Sequence, residues 1–582
     1  MTLIDDYLEY QSKYAKEYGE RTCVLMQVGH FYECYAVDNS KEKSNNENIY
    51  RLSDLLNIQL TRKNKKIIEN SRKNPLMIGV NLCSINKYIQ MLLNSNYTTV
   101  IIDQVTEPPE PEREVTHIYS PGTNITHSIK GETSNLVSIY IDIVKETSIS
   151  TKSTLYIGLA AIDVSTGKNT VYETYSSVED RNYSLDEAFR FIQVYDPKEI
   201  AIYINNNEGN ELTEHFLSSY LDLSQRVTHF KDIEKQFLNL NYQTTLLKKV
   251  YPEHGLLSVI EYIDLEMKPY GLTAFTLALD FAYRHNEKII KSIEKPEVWD
   301  KNNYLILTNN SINQLNIVSH PAMNTKCHFN SLFAVINNTS TTFGKRKLRD
   351  TLLNPIIDPD QLNKRYTIQE SFMNNKLYQN YESYLSQIMD IERLHRKIAL
   401  GLIQPADFVG LDISYDMIKQ ILSIDNKSID SIRPSKHIVD NFYSFVDEYK
   451  SYFNLDEIYK YHLDKIDDSF FNKGKYTDID IIKNTIEADI QLFNDIANVI
   501  SNLIEENSTF IHFESNERDG YFLTLTHKRA ETLKRKFKMT KYFPLEIGET
   551  IINPKEIEYK NVTKSNVRLS FGLVKILSNR LR

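Results

Sequence analysis

Apolar residues recur along this chain with two periods, and the change of period divides it. Near the N-terminus the pattern predicts a helix over Leu3 to Tyr18 and a strand over Thr22 to Val28. A second helix opens at the N-cap Ser84, with Ile85, Tyr88, Ile89 and Leu92 on one face, and a strand follows over Thr98 to Val105. The prolines of Pro108-Pro109-Glu110-Pro111 and the turn Ser120-Pro121-Gly122 place a boundary near 122 to 130. Strands dominate next: Leu136 to Val144, Thr154 to Val164, the turn Ser165-Thr166-Gly167-Lys168, then Asn169 to Thr174, a hairpin signal. Ser184-Leu185-Asp186-Glu187 reads as a capping box opening a helix to Val194, and Glu199 to Ile204 returns as a strand. Beyond about 249 the period becomes helical. Its clearest stripe is Ile482, Ile486, Ile490, Phe493, Ala497, Ile500 and Ile504, along a helix of about six turns. So narrow a stripe on so long a helix suits a lever or a coiled-coil arm. Gly520 to Thr526 then breaks the helical pattern as a strand.

The stretch GHFYECYAVD, Gly29 to Asp38, follows the first strand on a glycine-marked turn and sets Phe31, Tyr32 and Glu33 side by side. An aromatic after a strand is ordinarily core. Neighbouring residues cannot all face inward, however, and if Tyr32 packs inward, Phe31 and Glu33 project together to the other side. An exposed phenylalanine beside a carboxylate has the chemistry to wedge into a base step where stacking is already weak.

With 582 residues the chain has material for three to five domains. Apolar content of 41% and charged content of 25% are those of ordinary globular proteins, and no apolar run approaches the ~20 residues of a membrane helix. The N-terminus lacks the pattern of a secretion signal, which gives a cytoplasmic or nuclear address as the expectation. Cys23, Cys34, Cys83 and Cys327 show no Cys-x-x-Cys spacing and read as reduced thiols. Richness in Asn, Ile, Lys and Tyr is the mark of an A+T-rich genome, such as that of a large DNA virus or an organelle. The net charge of -9 does not suggest a nucleic-acid binder, but averages hide local fields. Arg62-Lys63-Asn64-Lys65-Lys66 is one basic run; Lys528 to Lys541 is another, with Glu531 its single acid.

The Gly-x-Phe-Tyr-Glu element after a strand resembles the mismatch-reading loop of the MutS family of DNA mismatch-repair proteins. The likeness continues collinearly through Leu52 to Lys63, Met77-Ile78-Gly79-Val80, Asp103-Gln104-Val105 and Tyr119 to Thr123. It extends through Asn338 to Leu348 with Leu353-Asn354-Pro355, Asp390 to Leu394 with Ala399-Leu400-Gly401, and Gly520-Tyr521-Phe522. The resemblance implies a multidomain α and β protein: a mixed α/β mismatch-binding domain at 1–122 and a ribonuclease-H-like α/β connector at 130–248. A long-helix core lever domain at 249–488, an inserted small clamp at 489–560 and a returning lever segment at 561–582 complete it. It further implies that Phe31 stacks on a mispaired or unpaired base from the minor groove, that Glu33 hydrogen-bonds that base, and that Arg62, Lys63, Lys528, Arg529 and Lys534 hold the DNA backbone. A carboxylate among phosphates meets repulsion, which an opened, kinked duplex relieves; correctly paired DNA is thereby disfavoured. His30 departs from the family's usual aspartate before the phenylalanine.

Two other readings stand beside this one. Asp142 and Asp163, on neighbouring strands, suggest metal-dependent phosphodiester cleavage, since "IDVSTGKNT" also has the look of a ribonuclease-H-like fold. A structural DNA-binding protein without mismatch preference is the other. Family members carry an ATPase domain with a Gly-x-x-x-x-Gly-Lys-[Ser/Thr] loop, and none of the 17 glycines here begins one. ATP and magnesium are accordingly expected only in a C-terminal domain outside this sequence, no cofactor within it, and a homodimer at full length. The sequence reads as the N-terminal part of a longer protein, a truncated gene being the alternative.

Overall fold

The computed structural model describes residues 2–106, 111–125, 134–145, 153–177, 179–206, 212–224, 226–299, 304–307, 309–319, 329–374, 376–424, 432–461, 466, 468–505, 509–516, 520–539, 545–547, 550–552, 556–561 and 565–581. Cys327 and Lys541 lie outside them. The chain forms two compact units, Met1–Arg433 and Pro434–Arg582.

The first unit opens with the helix Leu3–Tyr18, held at its start by a reciprocal Thr2 and Asp5 capping box. A mixed sheet follows in the order Thr61–Arg62, Leu76–Asn81, Phe31–Asp38, Thr22–Val28, Thr98–Gln104, Arg113–Tyr119, with Lys43–Ser44 also on Phe31–Asp38. Thr22–Val28 and Thr98–Gln104 run parallel; the other pairs are antiparallel. Tyr7, Ile49, Leu52, Ile89 and Leu92 from the helices Leu3–Tyr18, Asn46–Leu56 and Ile85–Asn94 fill its core. Phe31-Tyr32-Glu33 is not turn, as read from sequence, but the start of a strand, because only Gly29 and His30 intervene between the paired Val28 and Phe31. Gly29 takes φ 62°, the left-handed value that a two-residue hairpin asks of glycine at its first position.

A second sheet has the strand Asn135–Lys145 in its middle, with Ser153–Asp163 and then Asn169–Tyr175 antiparallel on one side, and Glu199–Asn205 and Val227–Asp232 parallel on the other. Along the sheet these five strands stand in the order third, second, first, fourth, fifth, the arrangement expected of the ribonuclease-H-like connector that the resemblance implies. Both faces are covered, so the central strand reads as a continuous apolar run. Val137, Ile139, Ile141 and Ile143 pack with Leu185 and Phe189 of the helix Tyr183–Tyr195. Leu136 and Tyr140 pack the opposite way with Phe275, Leu279 and Ala282 of the helix Pro269–His285. The core of this sheet therefore continues past 248, where the change of period and the resemblance place a boundary. Gly158 permits the approach, since a Cβ there would sit 1.9 Å from the carbonyl oxygen of Tyr270. The expected capping box at Ser184 does not form: the N-cap is Asn182, the Ser184 hydroxyl pairs with that of Ser176 at 2.6 Å, and Glu187 accepts from the Tyr172 hydroxyl at 2.9 Å. Both polar side chains are spent on buried partners inside the sheet's core.

Between the two sheets lies a buried polar knot. The Glu199 carboxylate accepts from the Ser120 hydroxyl, from the Gly122 amide at 3.0 Å and from His229 Nε2 at 2.7 Å. Tyr18, at the end of the first helix, sets its ring edge against His229 and His285. His285 bonds through Nδ1 to the Phe281 carbonyl at 2.7 Å, while its Nε2 is buried without a partner among the described residues.

The unit then continues in helices that include Thr342–Leu353, Ile391–Ala399 and Pro405–Ser423. Arg346 bridges Asp390 at 2.6 Å and Glu392 at 2.6 Å, and Glu392 also takes Lys168 at 2.6 Å. In the second unit the helix Thr477–Ile504 carries the predicted stripe, but only its second half is core. Phe493, Ala497, Ile500 and Ile504 bury against the sheet His512–Asn516, Gly520–Thr526, Asn566–Ser570, Glu558–Asn561, whereas Ile482 is 59% and Ile486 41% exposed.

Burial holds the His285 imidazole below its ordinary range of about 6.5, against the pull of Glu199. Burial alone would push Glu199 up, but the bonds from His229 and Ser120 outweigh it and hold that carboxyl low. A histidine kept neutral by the fold contributes stability that is present above pH 6.5 and is lost as the pH falls through its folded value. Glu199 loses its share only below the ordinary carboxylate range. Thermal stability should therefore decline from pH 7 to pH 5, by at most about 1.4 kcal/mol per pH unit for one group. His285→Asn, whose amide can donate to Phe281 and does not titrate, should flatten that decline in melting curves.

Candidate nucleic-acid interface

Alternation along the strand Phe31–Asp38 sorts its side chains onto two faces. Tyr32 is 8% exposed and its hydroxyl donates to Asp103 Oδ1 at 2.6 Å, reaching across Gln27 of the intervening strand. Asp103 in turn accepts from the Thr116 hydroxyl at 2.5 Å. Burial and that carboxylate push the Tyr32 phenol up, so it remains a donor. On the other face Phe31 is 46% exposed, Glu33 is half-buried and Tyr35 is fully buried. The sequence expectation that Tyr32 turns inward while Phe31 and Glu33 project together holds in the geometry. The Tyr35 hydroxyl donates to Glu33 Oε2, a partnership that the turn reading of this segment hides. In a strand, residues two apart share a face, and that spacing is the signal that points to the tyrosine.

The hairpin that carries Phe31 is fastened at its base. Arg113 Nε donates to the Gln27 carbonyl at 3.0 Å, and Gln27 Oε1 accepts from the Gln104 amide at 2.9 Å. Leu82 donates its amide to the His30 carbonyl at 3.0 Å, closing the turn against the next strand. His30 itself is exposed.

The first basic run is not beside Phe31. Arg62 pairs with Leu76, and Phe31 with Asn81, five residues on along that strand, which separates the two by roughly 17 Å in the strand direction. Lys63, Lys65 and Lys66 are exposed on a loop organised by the buried Asn74 side chain, which accepts from the Asn64 amide at 2.7 Å and donates to the Ile67 and Glu69 carbonyls. At that separation the ring and the basic run cannot line a single shared pocket.

The second basic run is the helix His527–Met539. Ala530, Leu533 and Phe537 bury one face against the neighbouring sheet. Of the cations picked from sequence, Lys528 is exposed, Arg529 lies 3.7 Å over the Phe510 ring, and Lys534 pairs with Glu531 at 3.0 Å and stands over Tyr559. Arg535 and Lys538, which belong to the basic run but not to the three cations picked from it, are exposed on this helix. Helical spacing around Ala530, Leu533 and Phe537 is the signal for them.

The two-metal reading fails on geometry. Asp163 lies opposite Asn135, at the far end of the strand that carries Asp142, so the carboxylates are roughly 23 Å apart along it, whereas paired catalytic ions need about 4 Å. Asp142 Oδ1 accepts from Asn205 at 3.1 Å and Asn206 at 2.8 Å, and Asp163 Oδ1 from the Ser165 amide at 3.0 Å and hydroxyl at 2.6 Å. Both close turns or strand ends. No group of three or more His, Cys, Asp or Glu side chains fit for a metal gathers among the described residues, and no helix among them is long and apolar enough to cross a membrane.

Comparison with known proteins matches residues 7–128 to MutS domain I and residues 310–537 to MutS domain III. A mutS homolog of Acanthamoeba polyphaga mimivirus is 32% identical over 98% of this chain and 53% of its own length. The DNA mismatch repair protein MutS of Caldanaerobacter subterraneus subsp. tengcongensis is 25% identical over 77% of this chain and 47% of its own, and that of Petrotoga mobilis 24% over 75% and 48%. The chain thus spans about half the length of the curated relatives it matches. Since the hairpin that carries Phe31 falls inside one matched domain and residues 527–537 of the basic helix inside the other, and one relative aligns along nearly the whole chain, this protein belongs to the MutS family.

Proposed function

We propose that this chain binds duplex DNA and recognises mismatched or unpaired bases by inserting Phe31 from the minor groove. The observation that carries the reading is the half-exposed Phe31 ring at the mouth of a hairpin whose next residue, Tyr32, is tied inward to Asp103. A ring that the fold could have buried is held outward, with the Glu33 carboxylate on the same face. Base stacking on an aromatic ring is worth about 1–3 kcal/mol, and the unstacking it requires costs least where pairing is already faulty. Relatives named as DNA mismatch repair proteins support the same assignment. Phosphate contacts from Lys63 and from the exposed face of the basic helix supply affinity without reading sequence. ATP and magnesium belong, in this reading, to a domain outside the sequence, as does the main contact of a homodimer.

Phe31→Ala should abolish the preference for mismatched over matched duplex in a binding titration while leaving salt-dependent binding to both. Unchanged discrimination would show that Phe31 does not read the mismatch, and equal affinity of the unsubstituted chain for both duplexes would leave a DNA-binding protein without mismatch preference. The cations that grip the backbone have their own measure. Neutralising Lys528, Arg535 and Lys538 should weaken binding to every duplex and shrink the slope of log affinity against log salt by about 0.9 for each phosphate no longer neutralised. Arg529→Ala with Lys534→Ala should shrink it less, because those cations already lie over rings or against Glu531. Equal slopes for both sets would show that the exposed face of this helix does not grip phosphates.

A further inference from the structure

Phe31, Glu33 and Tyr35 form one row that runs from solvent into the core: an exposed ring, a half-buried acid, a buried phenol. The Tyr35 ring cannot swing, because it meets Tyr7 edge-on at 5.2 Å and Tyr7 is itself buried, its hydroxyl donating to the Val24 carbonyl at 3.1 Å. From that fixed position the Tyr35 hydroxyl donates to Glu33 Oε2. Across the sheet from Glu33 stands Gly79, where a Cβ would lie 3.9 Å from the Glu33 Cγ, so the position directly opposite the acid carries no side chain. Glu33 Oε1 has no partner among the described residues.

We infer that Tyr35 is a positioning residue for base recognition: it pins one oxygen of Glu33 and leaves the other as a single, oriented acceptor beside the Phe31 ring. The inference rests on the proposed reading of Phe31 and Glu33 and deepens it. An ionised carboxylate is acceptor-only, so the free oxygen selects a base that presents an N–H there. A free glutamate side chain on a strand would sample several rotamers, most of them useless for that bond, and ordering it at the moment of binding costs affinity. Held by a core tyrosine, the acid is ordered beforehand. The tyrosine bond also gives the carboxylate a permanent partner, so its approach to the phosphate-lined groove does not leave it unsatisfied.

The test is a set of titrations of mismatched and matched duplex by the 582-residue chain. Tyr35→Phe keeps the ring against Tyr7 and removes only the hydroxyl; it should lower the mismatch-to-match affinity ratio about fivefold, with matched-duplex affinity and melting temperature unchanged. In a Glu33→Ala background the same substitution should have no further effect, because the oxygen it positions is gone. Glu33→Asp, which retains the charge one methylene out of reach of Tyr35, should reproduce the loss and serves as the independent variant if Tyr35→Phe does not fold. A ratio unchanged or raised in Tyr35→Phe, an equal fall in both affinities, or additivity with Glu33→Ala would each overturn the inference. Phe31→Ala separates the two levels: if it abolishes discrimination while Tyr35→Phe leaves it intact, only the positioning role falls; if it leaves discrimination intact, the underlying reading falls as well.

Discussion

The period-two alternation of a β-strand is the constraint on which the exposed face at Phe31 depends. Because Gly29 and His30 alone connect two paired strands, the register of Phe31 to Asp38 is fixed at its first residue. A slip of one residue would exchange every side chain between faces, burying Phe31 and exposing Tyr32. The fold guards against that slip on both sides. Tyr32 is anchored two strands away on Asp103, and Tyr35 is locked against Tyr7, so the register is held by a polar bond on one face and by aromatic packing on the other. The exposed ring is thus the by-product of two inward anchors that leave it no other direction.

Charge is distributed on a different logic. A chain with a net charge of -9 carries two basic runs, and in each the burial of one apolar or polar element decides which cations face solvent. On the basic helix the spacing of Ala530, Leu533 and Phe537 consigns one face to the core, and rings or an acid occupy Arg529 and Lys534. On the loop after Arg62, the amide of Asn74 replaces the missing backbone partners of an irregular segment and so holds Lys63 to Lys66 outward. A count of basic residues cannot separate these cases, because a cation over a ring and a cation in water look alike in sequence.

Much of the architecture is legible in the sequence. The strands Thr22–Val28 and Glu199–Asn205 and the helix Leu3–Tyr18 follow from periodicity, and the face assignment of Phe31, Tyr32 and Glu33 follows from it too. What fails, fails for local reasons. Ser184 has the spacing of a capping box, but Ser176 and Tyr172 offer its hydroxyl and the Glu187 carboxylate buried partners that outcompete the cap. Asp142 and Asp163 look adjacent because their strands are adjacent, yet the antiparallel register sends them to opposite ends. The stripe from Ile482 to Ile504 is continuous in sequence, whereas only its second half meets the small sheet. In each case the missing information is a partner distant in sequence, which no local pattern contains.

The same is true of Ser120-Pro121-Gly122, which reads as a simple turn in a linker. Its residues are dictated by Glu199, nearly eighty positions later: Ser120 and Gly122 supply donors to a fully buried carboxylate, and a Cβ on Gly122 would fall 2.5 Å from the Glu199 Cβ. A buried acid without those donors would carry the full cost of its desolvation, so the turn cannot leave without exposing or protonating it. Tyr18 adds a second attachment, its ring against His229 and His285. Two attachments, one at the last strand of the first sheet and one at the end of its first helix, define a joint that resists rotation as well as separation. The strand Phe31–Asp38 pairs directly with Thr22–Val28, one of the parallel pair completed by Thr98–Gln104, and Asp103, which anchors Tyr32, belongs to that pair. The outward pose of Phe31 is therefore set relative to the second sheet as well as within its own.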